Sequence, residues 1–147
     1  MPTYTFKYSN LTLNKKKKFK LAKAVTKIHS DVTGANTYFA QVIFEQNKKE
    51  DHYIGGKKVR TPEIFLFGNI RSGRSKKIKK RLIVNMRESI KKILKLDQDN
   101  IWIYILDILP SQMMEYGELL PNSGKEKNWF NKLSQKLKIR LSKLEGS

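Results

Sequence analysis

The sequence contains no cysteine and only two histidines. Disulfides and thiol chemistry are therefore excluded, and two imidazoles are too few for an ordinary zinc site. No apolar run approaches the roughly 18 residues of a membrane span, and the first residues lack the apolar stretch typical of a signal peptide. We therefore expect a cytoplasmic protein that contacts no membrane and holds no metal.

Acidic residues are also scarce, with 13 Asp and Glu against 31 Lys and Arg, which gives a net charge of +18. Such a charge attracts polyanions and small acidic substrates alike. It can equally reflect a lysine-rich composition without a function, so charge alone leaves the partner class open. The length of 147 residues predicts one domain with its own core.

Proline is rare, but one proline, Pro2, follows the initiator methionine directly. Because methionine is normally removed before a small residue, we expect a mature chain that begins with a free secondary amine. An α-amino group titrates near 7.7–8.0, so burial or a nearby charge would make this one a base or an acid at neutral pH. The alternation of Tyr4, Phe6 and Tyr8 predicts a strand that holds the amine in place.

Hydrophobic periodicity divides the rest into two similar halves and an extension. The first half continues with a helix over about 15–32, ended by Gly34, and an apolar run at 38–44 that suits a strand covered on both faces. The second half repeats this order with strands at 64–70 and 101–108, around a helix capped by Ser75 or Ser72.

This order predicts an α+β fold of two fused β-α-β units, with a four-stranded core sheet, two long helices on one face and a C-terminal helical extension. We expect a single domain over 1–147, divided into a first half at 1–46, a second half at 61–109 and the extension at 110–147. In the extension, Ser123 and Glu126 match a capping box before one last helix.

Polar residues with possible chemistry lie in both halves and in the extension. Arg71 and Arg74 flank a glycine at the mouth of a predicted helix, where two guanidiniums and backbone amides suit a carboxylate. His29 fits either a structural histidine or a donor in a pocket, and Tyr104 fits either a core residue or a site residue. Glu115 has apolar neighbours, so its carboxyl must be paired or have a raised pKa.

Taken together, these stretches resemble the tautomerase superfamily, and within it the cis-3-chloroacrylic acid dehalogenase family. The resemblance extends from Pro2 to about Trp129 and rests on agreement in both type and order. The matching positions are Pro2, His29 with Gly34-Ala35, Gln41-Val42 with Phe44, Ile70-Arg71-Ser72-Gly73-Arg74, Tyr104 and Met114-Glu115-Tyr116-Gly117.

The resemblance implies the tautomerase/MIF-like fold, a homotrimer, and a cofactor-free isomerase, hydratase or dehalogenase acting on a small unsaturated or 2-keto carboxylate. Hydration, hydrolytic dehalogenation and keto-enol tautomerisation all stay open, as do the natural substrate and the sharing of site residues between subunits. The implied catalytic residues are Pro2, Tyr104 and Glu115, and the implied substrate-binding residues are His29, Arg71 and Arg74.

The basic charge and the lysine-rich last helix depart from that family. The alternative function is a non-enzymatic basic module that binds nucleic acid or another polyanion. No nucleic-acid-binding motif is recognisable, and the lysines are spread along all the predicted helices, so we expect such binding to be weak.

Overall fold

The computed structural model describes residues 2–146, so the predicted removal of Met1 concerns a residue outside that range. The elements follow the predicted order. They are β1 (Thr3–Ser9), α1 (Lys15–Thr33), a 3-10 turn (Thr37–Phe39), β2 (Gln41–Gln46), β3 (Tyr53–Ile54), β4 (Lys57–Lys58), β5 (Glu63–Arg71), α2 (Lys76–Leu94), a 3-10 turn (Gln98–Asn100), β6 (Ile101–Ile108), a 3-10 turn (Pro110–Gln112), β7 (Met114–Glu115), β8 (Glu118–Leu119), α3 (Glu126–Lys132) and α4 (Gln135–Leu144).

The main sheet has four strands in the order β2-β1-β5-β6. β1 and β2 are parallel and joined through α1, and β5 and β6 are parallel and joined through α2. The two halves meet where β1 pairs antiparallel with β5. The predicted α+β fold with two β-α-β units is therefore confirmed.

Alternation along the strands places one face of the sheet against α1 and α2. Tyr4, Phe6 and Leu66 have no exposed surface, and they belong to one cluster with Leu21 and Met86 of the helices. Burial of each such side chain contributes about 1.5–3 kcal/mol. Gly68 permits this packing, since a Cβ there would lie only 2.6 Å from Cε1 of Tyr4.

The opposite face of the sheet is open, and it is apolar along β6 and at Ile43. Ile43, Trp102, Tyr104 and Leu106 are 39, 37, 55 and 46% exposed. The expectation that residues 38–44 form a strand covered on both faces is wrong. The strand starts only at Gln41, and it lies at the sheet edge with one face uncovered.

The residues before that strand join a second cluster formed by the extension. Tyr38 and Phe39 pack with Leu120, Leu133 and Leu141. The predicted last helix is divided into α3 and α4, and α4 is capped by Ser134, whose Oγ accepts a hydrogen bond from the amide of Leu137. No helix within residues 2–146 is long and apolar enough to cross a membrane.

Candidate functional site

The topology brings the starts of β1 and β2 and the ends of β5 and β6 to the same end of the sheet. Below, this end of the strands is called the edge of the sheet. Pro2 is buried at this edge, and its carbonyl accepts a 3.0 Å hydrogen bond from the amide of Gln41. Thr3, the next residue, is in register with Gln41 on one side and Asn69 on the other. Arg71 follows two positions after Asn69, so the proline and the first arginine lie at the same edge.

His29 reaches this edge from the last turns of α1. It is 3% exposed, and its Nδ1 lies 2.8 Å from the hydroxyl of Tyr4. Burial, followed by the positive charges of the amino terminus and of Arg74, lowers the pKa of His29 to about 3. Burial also raises the pKa of Tyr4. At neutral pH the pair is therefore an uncharged imidazole and a protonated phenol.

The two arginines have different surroundings. Arg71 is 2% exposed, and it donates from Nη1 to the carbonyl of Pro121 at 2.9 Å and from Nη2 to the carboxylate of Glu126. Arg74 is partly buried in the wall of a cavity of about 290 Å³ that Glu126 also lines. Burial, followed by the charge of Arg71, lowers the pKa of Arg74. Two cations and one carboxylate thus form a compact charged group.

Glu115 lies on the β7–β8 hairpin beside a larger cavity of about 940 Å³. Thr3, Gln41 and Asn69 line the same cavity from three strands of the sheet. Arg140 of α4 lines it too. The carboxylate therefore shares a cavity with the residue that follows Pro2.

Tyr104 is the one predicted site residue that this chain does not bring to the edge. It lies in the middle of β6 on the open face, in register with Phe67, with its ring edge-on to Phe65 at 4.8 Å. Tyr104 and Pro2 are separated by two strands across the sheet and by three residues along the strands. The usual strand spacing and rise per residue give a distance of about 14 Å between the two residues.

Sequence reasoning missed three residues that shape this edge: Tyr4, Glu126 and Arg140. The alternation of Tyr4 with Phe6 and Tyr8 predicts only a strand and gives no sign of the bond from Tyr4 to His29. Glu126 was assigned to a capping box, whereas α3 has no side-chain cap and the carboxylate binds Arg71. Arg140 was one of many cations on the last helix, yet its guanidinium lies 5.2 Å from the ring centre of Tyr116.

A four-stranded sheet of two fused β-α-β units, with a proline directly before the first strand, is the arrangement expected of a tautomerase. Residues 1–133 match the family described as "Putative oxalocrotonate tautomerase enzyme". The chain belongs to this family. A comparison with curated proteins found no match.

Solved structures agree with this assignment. The chain is similar to N1, a member of the cis-3-chloroacrylic acid dehalogenase family, with 29% identity, a TM-score of 0.90 and coverage of 96% of this chain and 99% of that one. A protein described as native Ps01740 is 22% identical over 77% of this chain and 99% of that one, with a TM-score of 0.72. A fused 4-OT symmetric trimer is 18% identical over 80% and 94%, also with a TM-score of 0.72. The last two support the fold alone.

Proposed function

We propose that this protein is a cofactor-free enzyme that uses the amine of Pro2 as an acid or base on a small unsaturated or 2-keto carboxylate. The observation that carries the proposal is that Pro2 and Arg71 lie at the same end of the sheet. Arg74 acts electrostatically on Arg71's neighbourhood and on the neutral His29, and Glu115 lines a cavity that Thr3 also lines. An amine beside guanidiniums is suited to proton transfer on a substrate held by its carboxylate.

Each residue has a distinct role in the proposed reaction. Arg71 and Arg74 bind the carboxylate and withdraw electron density toward it. Tyr4 and Nδ1 of His29 share a hydrogen bond, and in the tautomer in which Tyr4 donates, the proton on Nε2 is the one that bonds to the substrate. Glu115 activates water, and a protonated Pro2 delivers a proton to the α carbon.

The charge of the proline nitrogen selects the reaction. A protonated amine with Glu115 and Tyr104 favours water addition, as in hydration or hydrolytic dehalogenation. A neutral amine favours the transfer of a proton between carbon and oxygen of an enol. A pH titration of the Pro2 amine separates the two, since a value above the ordinary α-amino range of about 7.7–8.0 indicates an acid and one below it a base.

We propose a homotrimer in which Tyr104 serves the site of a neighbouring chain. The apolar face that carries Ile43, Trp102 and Leu106 is uncovered in one chain, and an apolar face of this kind is typical of protein interfaces. Tyr104 lies on that face, about 14 Å from the Pro2 of its own chain by strand geometry. Association through this face would bring Tyr104 to another chain.

The proposal is tested by removing the amine without removing the proline ring. One preparation has a free Pro2, verified by intact mass, and the other carries a Gly-Ser extension that converts the proline nitrogen to an amide. Turnover of the enol form of phenylpyruvate and of cis-3-chloroacrylate should fall at least about 100-fold in the extended protein, as expected for loss of an acid-base group. Equal turnover in both preparations would exclude the proline mechanism.

The second candidate is a basic binding module, favoured by the net charge of +18. It predicts binding of a labelled single-stranded oligonucleotide that weakens steeply between low and moderate salt, measured by fluorescence anisotropy. Weak, salt-sensitive binding is compatible with the enzyme. Tight binding at physiological salt, together with no turnover of small acids, would favour the binding module instead.

A further inference from the structure

The guanidinium of Arg71 is already bound by a carboxylate of its own chain. Glu126 accepts from Nη2 and the carbonyl of Pro121 accepts from Nη1, so the segment 121–126 covers the side chain. This cover is nearly complete, since Arg71 is only 2% exposed. A substrate carboxylate can reach Arg71 only if Glu126 leaves it.

The bond between the two side chains uses only part of the guanidinium. Within residues 2–146, Nε of Arg71 is buried and has no hydrogen-bond partner. Nε and Nη2 lie along one edge of the group, and a carboxylate that binds this edge as a fork satisfies both donors. A buried donor without a partner costs about 1–3 kcal/mol. Arg71 therefore has a binding capacity that Glu126 does not fill.

Glu126 is also placed to repel an incoming anion. It lines the small cavity that contains Arg74, so a carboxylate that approaches either arginine meets its negative charge. Although burial alone would raise the pKa of Glu126, its bond to Arg71 and backbone amides holds that pKa below its ordinary value. The carboxylate is therefore ionised at neutral pH.

We propose that Glu126 is an internal competitor that occupies Arg71 and sets the affinity of the site for carboxylate substrates. Arg74 then makes the first contact with the substrate, and the fork of Arg71 becomes available as Glu126 is displaced. Glu126 acts through Arg71 and is therefore a positioning residue. The inference rests on the proposed function, because it concerns the same carboxylate site.

Glu126→Gln tests the competition, because glutamine keeps the size and the acceptor oxygen but removes the charge. The probe is propionate, a saturated acid that cannot be hydrated or tautomerised, and binding is measured by ligand-detected NMR. Propionate should bind Glu126→Gln about tenfold or more tightly than the native protein, as expected for one recovered charge-assisted hydrogen bond. Propionamide, its neutral counterpart, should bind both proteins equally.

Glu88→Gln is the matched control. Glu88 is also paired with an arginine, Arg87, but on the surface of α2. The Glu88→Gln substitution removes the same charge as Glu126→Gln and should leave the affinity for propionate at the native value. If Glu126→Gln fails to fold by circular dichroism, Glu126→Asp shortens the reach to Arg71 and should also tighten propionate binding.

The outcomes separate this inference from the proposed function. Equal propionate affinity in the native protein and in a folded Glu126 variant overturns the inference even if the enzyme is active. Tighter propionate binding supports it even if no substrate is turned over. In an active enzyme, the gain should appear as a lower KM with little change in kcat, which loss of structure alone would not produce.

Discussion

The environment of His29 fixes a charge state that the sequence leaves open. The imidazole is enclosed between the helix and β1, its Nδ1 lies at the hydroxyl of Tyr4, and the cation of Arg74 acts on it. Burial, followed by the positive charges of the amino terminus and of Arg74, disfavours a protonated ring. The histidine can therefore donate one hydrogen bond and accept another without adding a further positive charge beside the arginines.

This charge state predicts a loss of stability in mild acid. The pKa of His29 falls from 6.5 in the unfolded chain to about 3 in the folded one, so between these values the unfolded chain binds the extra proton. The stabilisation is complete above the unfolded value and declines as the pH falls below it. Urea unfolding should show a loss of about 2 kcal/mol between about pH 7.5 and pH 5.

The chain supplies its own control, because it has one other histidine. His29→Gln should reduce the slope of unfolding free energy against pH in this range. His52→Gln, which removes the half-buried ring that bonds to Ser9, is measured in parallel as the control variant. An unchanged slope in His29→Gln would show that another group causes the acid sensitivity.

At the scale of the elements, the start of α2 fixes the backbone next to Arg74, which directly precedes the residue that caps the helix. The sequence allowed Ser72 or Ser75 as the cap, and the structure assigns this role to Ser75, whose Oγ accepts a 3.2 Å hydrogen bond from the amide of Ile78. Ser75→Ala should lower the free energy of unfolding by about 1 kcal/mol, as measured by urea denaturation. Ser72→Ala is the matched control and should cost less than half of that.

The helices and the sheet were predictable because their periodic apolar positions face one core. Leu21 and Val25 of α1, and Leu82 and Met86 of α2, recur at the helical period and are all buried. The predicted strand is wrong at Tyr38 and Phe39, where aromatic residues favour a strand in the sequence but the structure has a 3-10 turn. Their burial comes from Leu133 and Leu141, about a hundred positions away, and a local window does not contain that contact.

The site was predictable only in part, for a similar reason. Arg71 and Arg74 were found from local spacing, since both lie where a strand gives way to a helix. The carboxylate on Arg71 comes from 55 positions further along the chain, and local spacing gives no sign of it. Residue types thus identified candidate groups, but their pairing depends on tertiary structure.

At the scale of the whole molecule, the open sheet face predicts the assembly. Leu106→Lys places a charge on the apolar face proposed as the trimer interface, where it would be desolvated without a partner. We expect this variant to sediment as a monomer at concentrations where the native protein is a trimer. Phe19→Lys makes a similar apolar-to-charged change on the outer face of α1, where Phe19 is 65% exposed, and should remain trimeric. A trimeric Leu106→Lys protein would place the interface elsewhere.

The proposed sharing of sites between chains predicts complementation. Pro2→Ala and Tyr104→Phe should each have low activity alone. In mixed trimers refolded from equal amounts, a site that takes Pro2 from one chain and Tyr104 from the next is intact in about one quarter of cases. Turnover of cis-3-chloroacrylate should then rise to about one quarter of the native rate. A mixture no more active than the average of the two variants would place Pro2 and Tyr104 of each working site in the same chain.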